Sequence, residues 1–342
     1  MAPPPNRTII VLGCPRSGTT LLQLMLHSHP RIAIPPETRF VLDAYWSRRE
    51  FGDLRDSGNR RALAEHIVRR RRSRFGDLGL DPERTIAEIV DGPPTLGSAL
   101  GTVFRGYAHR FDKPRWGDKR PGYYQHINEL VRLFPDVQIV HLIRDGRDCV
   151  GSLKNMDWYR HDSVTAMATW AEALDYGRAA QRRLGPDSYY QLYYERLIDS
   201  PEEELSALCA FLGEEFDPAM CEPNRVADVA VPERKTWHTN THREVNRSSS
   251  GSWEKRLEPW EISLCETVLG SRLRHNGYEL SGAPRAAARD LARYARVATT
   301  RRLAHRKREL RDRWWRLNEP TPNLAAVEAR SDERRSTGPE ES

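Results

Sequence analysis

The chain has 342 residues, 38% of them hydrophobic, which is enough to bury one large α/β core, and we read one globular domain with C-terminal additions. Its 54 Lys and Arg against 48 Asp and Glu leave a net charge of +6, but no nucleic-acid recognition motif accompanies that charge, so no nucleic-acid partner is expected. The five cysteines are scattered without metal or redox spacing, and neither H-E-x-x-H nor an EF-hand loop occurs, so the reading includes no metal. No apolar run is long enough to span a bilayer and the first residues lack signal-peptide form, which together with the cysteine pattern leads us to expect a cytoplasmic protein.

In chain order, the first element is an apolar strand, Ile9 to Leu12, running through Gly13-Cys14-Pro15-Arg16-Ser17-Gly18-Thr19-Thr20 into a helix that carries Leu21, Leu22, Leu24, Met25 and Leu26. A strand, a glycine-bounded loop and a helix N-terminus form an anion cradle, because backbone N–H groups and the helix dipole point at the same place. Gly13 and Gly18 have the spacing of the nucleotide loop G-x-x-x-x-G-K-[ST], but Thr19 stands where that pattern has lysine, which disfavours an NTPase or nucleotide kinase. The cation is instead Arg16, whose fork can hold two phosphate or sulfate oxygens, with Ser17, Thr19 and Thr20 adding hydroxyls. Next, Pro35-Pro36-Glu37-Thr38-Arg39 fixes a carboxylate close to the start of a helix.

Residues 45 to 115 have helical periodicity broken by Gly and Pro and contain Arg69-Arg70-Arg71-Arg72; we read them as a helical cap over an acceptor site. Trp116-Gly117-Asp118-Lys119-Arg120-Pro121 follows, where a lysine among charges reads on its own as a solvated turn. Val137 to Ile143 is a second buried strand, with Arg144 at its C-terminal end, where ligands of open α/β sheets bind, and Ser152 eight residues on. Tyr189 to Tyr194 leads to a helix opened by Pro201 and stopped by Gly213. On composition alone, Ser248 to Ser252 is a flexible linker, flanked by Arg247 and Trp253, and helical pattern resumes from Pro259 to Gly277.

These segments together resemble the sulfotransferases that use 3′-phosphoadenosine-5′-phosphosulfate (PAPS). Pro15 to Thr20 matches the family's P-[RK]-[ST]-G-T-[TS] loop at every position, and the resemblance extends over roughly residues 7–280. It implies a P-loop-like, three-layer α/β fold: a central parallel sheet flanked by helices. It further implies that Arg16, Ser17, Gly18, Thr19 and Thr20 bind the 5′-phosphosulfate and that Arg144 and Ser152 bind the 3′-phosphate. Tyr194 would contact the nucleotide, and Arg247, Ser249, Ser250, Gly251, Ser252 and Trp253 would form the family's C-terminal nucleotide loop. Glu37-Thr38-Arg39 and Lys119-Arg120-Pro121 are similar to elements of the tyrosylprotein-sulfotransferase branch, implying Glu37 as catalytic base and Lys119, with Arg16, at the transferring group. Cytosolic small-molecule enzymes use a histidine base instead, and His126 and His141 lie in no comparable motif.

Two departures stand out: Arg247-Ser248-Ser249 replaces R-K-G, and Met156 stands where tyrosylprotein relatives have an arginine, which shifts weight to Arg144, Arg247 or Lys154. The implied product is 3′-phosphoadenosine-5′-phosphate (PAP), and the implied acceptor a hydroxyl of a carbohydrate, lipid or small natural product, with protein tyrosine as the variant. Beyond residue 282, a basic helix over 290–317 places Leu303, Leu310, Trp314 and Leu317 on one face. Three uses of that face remain open: peripheral contact with an anionic membrane, packing on its own domain, or a homodimer. From residue 320 the composition reads as a disordered tail.

Overall fold

Five parallel strands, β1 (Ile9–Gly13), β2 (Ile32–Ala33), β3 (Arg115–Lys119), β4 (Gln138–Ile143) and β5 (Tyr189–Tyr193), form one sheet in the order β2-β3-β1-β4-β5. This computed structural model describes residues 6–226, 250–318 and 323–327. β1 lies at the centre because every residue from Ile9 to Gly13 is apolar or glycine, so it can be buried on both faces. Its side chains alternate between the two helical layers. Ile9 and Val11 pack with α1 (Thr19–Ser28) and α10 (Pro201–Leu212), whereas Ile10 and Leu12 share a core with α5 (Leu96–His109), α7 (Gly146–Leu153) and α8 (Ser163–Leu184). This is the expected three-layer arrangement.

β3, like the two-residue β2, is a strand that periodicity did not reveal. The charged and polar residues of Arg-Trp-Gly-Asp-Lys read as a turn, yet all five are buried. Each charge has a partner in place of water: Arg115 donates to the carbonyls of Arg7 and Leu212 and pairs with Glu214 at 3.0 Å, while Asp118 accepts from Thr38 and Tyr123. The solvated-turn reading of Lys119 is therefore corrected, since only 1% of it is exposed.

The 45–115 region is largely helical, with α3 (Ser57–Arg69), α4 (Pro82–Asp91) and α5 following α2 (Phe40–Ser47), although its last residue opens β3. Arg69 and Arg70 of the basic run pair with Glu83 and Asp43 at the surface. Between β3 and β4 runs α6 (Ile127–Leu133), and after β5 come α9 (Tyr194–Asp199) and α10. A single turn, α11 (Trp253–Arg256), precedes α12 (Pro259–His275).

The C-terminal helix α13 (Ala288–Leu317) lies along the body. Buried Asp312 receives Tyr45, Arg48 and Arg132 at 2.9, 3.0 and 2.7 Å, and Arg301 pairs with Glu172 at 2.7 Å. Packing of the Trp314 face on its own domain is thereby corrected. The packed face carries Asp312 and Trp315, and Trp314 is 58% exposed. The expectation of a disordered tail also fails over 323–327, where the carbonyls of Asn323 and Leu324 accept from the first N–H groups of α5 and Ala326 donates to Leu133.

Candidate functional site

The C-terminal end of each strand carries one part of the candidate site, as expected for an open parallel sheet whose strand order reverses about its centre. After β1 the chain turns through Arg16 at φ 73° and Gly18 at φ 98° before α1 begins at Thr19. Two left-handed residues in three make a concave loop that aims N–H groups inward. Glycine is required on both sides of it. A Cβ on Gly13 would lie 2.5 Å from the Leu142 carbonyl oxygen, and one on Gly18 2.5 Å from the Tyr194 ring. No side chain caps α1, and the fully buried Ser17 hydroxyl has no hydrogen-bond partner among the described residues. A buried hydroxyl and an uncapped helix terminus at one loop fit the phosphosulfate group of the expected co-substrate.

Beside the cradle, at the end of β4, Arg144 donates from Nη1 to the Arg16 carbonyl at 3.0 Å and lies over the Tyr194 ring at 4.6 Å. Arg16 Nε in turn donates to Ser152 Oγ at 3.0 Å. The expected 3′-phosphate pair and the loop arginine therefore form one cluster. Burial, then the neighbouring Arg144 charge and more weakly that of Arg256, hold the Arg16 pKa below its ordinary value, the mark of positive charge gathered at one place. Such a cluster suits a polyanionic nucleotide.

The C-terminal loop reaches this cluster through a residue that sequence reasoning passed over. Asp148, fully buried, accepts from Gly251 N and Trp253 N at 2.9 Å and from Ser252 Oγ at 3.0 Å, and its carboxylate is 3.7 Å from Arg144 Nη2. Arg147 then stacks on Trp253 at 4.1 Å. Ser250 is exposed at the loop's edge, and Arg247 and Ser249 lie outside the described residues. Arg256 follows directly in α11, its Cβ 3.1 Å from where a Cβ on Gly151 of α7 would lie. Lys154, weighed as a substitute phosphate ligand, is engaged by Glu261 at 2.6 Å.

A second group assembles on the other side of the cradle. Lys119, the last residue of β3, is paired in register with Val11 and donates to Thr20 Oγ1 at 3.4 Å. Burial lowers its pKa, opposed by the negative charges of Glu37 and then Asp118. Glu37 follows β2 in a segment pinned at three points: Ile34 N donates to His27 Nδ1, Thr38 Oγ1 to the Asp118 carboxylate, and Arg39 N to the Ser73 carbonyl. Asp118, whose pKa burial raises to about 6, thus ties the Glu37 segment to the Lys119 strand. His141 is no rival base. It sits inside β4 against Tyr189 with its pKa pushed down to about 3 by burial.

Residues 8–218 match the model of the Sulfotransferase family. The chain belongs to that family. Protein-tyrosine sulfotransferase A of Caenorhabditis elegans is 24% identical over 296 residues, covering 82% of this chain and 70% of that protein. The protein-tyrosine sulfotransferase of Drosophila melanogaster is 25% identical, covering 62% of this chain but only 39% of its own length. Among solved structures, the sulfotransferase domain of the Synechococcus PCC 7002 olefin synthase superposes with a TM-score of 0.52 at 25% identity, over 75% of this chain and 90% of that one. The chain is thus a sulfotransferase enzyme with the family's P-loop-like parallel sheet.

Proposed function

We propose that this enzyme transfers the sulfuryl group of PAPS to an acceptor hydroxyl, with Glu37 as the base. The observation that carries the reading is that Lys119, at the end of β3, donates to Thr20 of the cradle, while the Glu37 segment that follows β2 is tied to the same strand end through Thr38 and Asp118 and lends its negative charge to Lys119. The co-substrate supplies an activated sulfuryl group; the new bond joins acceptor oxygen to sulfur, and the bond to the phosphate oxygen breaks. Glu37 takes the acceptor proton. Lys119, shielded from water, stabilises negative charge on the transferring and leaving oxygens, as do the N–H groups at the start of α1. Arg16, Arg144 and Ser152, with Tyr194 and the Asp148-tethered loop at 250–253, hold the nucleotide. By analogy with phosphoryl transfer, positioning and charge stabilisation account for most of the acceleration.

For the acceptor, a carbohydrate, lipid head group or small natural product is our first reading. A tyrosine phenol is the second, favoured by the names of the relatives. The test is Glu37→Gln, assayed with radiolabelled PAPS on cell extract and on a tyrosine peptide. Loss of about 10²–10⁴-fold in turnover with PAP binding retained is expected, the usual contribution of a general base. Near-normal turnover in a variant that binds PAP would reject Glu37.

A further inference from the structure

The packed side of α13 leaves an outward face with a distinctive composition. Leu303, Leu310, Trp314 and Leu317 are 61%, 58%, 58% and 77% exposed. Arg302, Arg306, Lys307 and Arg313 are exposed as well, and none of the four pairs with a carboxylate among the described residues. At 3.6 residues per turn these eight positions fall within an arc of about 140°, with the apolar side chains along its middle and the cations on its flanks. No acidic residue lies in that arc. The acids of this stretch are turned elsewhere, with Asp312 buried on the body and Glu309 towards Asn128. Arg49, from the turn after α2, adds a guanidinium 5.7 Å from the Trp314 ring.

We propose that this face of α13 seats the enzyme on the surface of an anionic phospholipid bilayer, with the Leu and Trp side chains in the headgroup boundary and the flanking cations on lipid phosphates. A second copy of the chain fits the surface poorly, because a symmetric pairing would bring arginines against arginines with no carboxylate between them. Nucleic acid would match the charge but leave the leucine row against water. The anchoring of the opposite face through Asp312 and Glu172 makes this a peripheral contact of a folded domain, and no described helix is long and apolar enough to cross a membrane. A basic amphipathic surface of this kind binds through apolar burial plus attraction to anionic lipid. The inference is independent of which hydroxyl is sulfated.

The full chain is sedimented with phosphatidylcholine vesicles with and without phosphatidylglycerol, at low and high salt. Binding is expected only with the anionic lipid and should weaken as salt rises. Arg302→Gln, Arg306→Gln and Arg313→Gln combined should reduce partition roughly a hundredfold, at about fivefold per charge. Leu310→Ser, Trp314→Ser and Leu317→Ser combined should reduce it about tenfold or more. Thermal stabilisation by PAP, unchanged in both variants, verifies that they remain folded and is read separately from lipid binding. Three results would overturn the proposal: no vesicle binding by the folded wild type, binding unaltered in both variants, or a dimer in sedimentation velocity that the serine variant abolishes.

Discussion

Alanine in place of Gly18 tests whether the cradle and Arg144 at the end of β4 are mechanically linked. Gly18 has φ 98° and its missing Cβ would lie 2.5 and 2.7 Å from two carbons of the Tyr194 ring, the ring over which Arg144 is held. Two costs add. Holding alanine at this dihedral costs about 1–3 kcal/mol, and forcing a methyl into a filled space about 1–3 kcal/mol more. Gly18→Ala should therefore lose about 2–6 kcal/mol in urea unfolding. In a Tyr194→Ala background the ring is gone and only the dihedral cost remains, so the double-mutant cycle should show a coupling of about 1–3 kcal/mol. A displaced ring also shifts Arg144, so PAP affinity by calorimetry should fall by at least about tenfold while the protein stays folded, as a loss of about 1.4 kcal/mol requires. If Gly18→Ala costs the same with and without Tyr194, the clash is not real and the linkage between cradle and Arg144 is refuted.

Arg144→Ala should weaken PAP by about 1.5–3 kcal/mol and 5′-AMP far less, measured by calorimetry, since only PAP carries the 3′-phosphate; equal losses would remove Arg144 from that role. Asp148→Asn keeps an acceptor but loses the charge that holds three donors, so about 1.5–3 kcal/mol of loop anchoring should go. Hydrogen exchange at Gly251 and Trp253 should quicken by at least about tenfold, and unchanged exchange would show the tether to be idle. His27 and His141 are held neutral with pKa values pushed down to about 3, so the stability they contribute is present above pH 6.5 and fades as the pH falls towards 3, because only the unfolded chain takes up their protons. Each contributes a slope of about 1.4 kcal/mol per pH unit, opposed in part by Asp118, whose raised pKa makes stability fall as pH rises through about 6. His141→Gln should flatten urea midpoints measured between these limits; midpoints in the wild type that do not drop with acid would contradict the assignment.

The sequence by itself determined the parts whose physics is local. An all-apolar β1 followed by Gly13 and Gly18 specifies a buried strand and a turn that only glycine can make, and so places the anion cradle before any contact is known. Val137 to Ile143, interrupted only by Gln138 and His141, specifies a further buried strand, and Arg144 and Ser152, eight positions apart at its end, both bond to Arg16 of the loop. The tertiary structure alone decided what depends on partners distant in the chain. β3 can do without a hydrophobic pattern because Arg115 is paired with Glu214, and Asp118 and Lys119 are hydrogen-bonded to the hydroxyls of Tyr123 and Thr20, all of them outside the strand. Asp148 looks like any helix-surface carboxylate until residues 251–253 fold back onto it from about a hundred positions away. The amphipathic period of α13 is equally silent about which of its faces the body covers. That choice shows in Asp312, whose carboxylate finds Tyr45, Arg48 and Arg132 on the body, three partners supplied from 180 or more positions away.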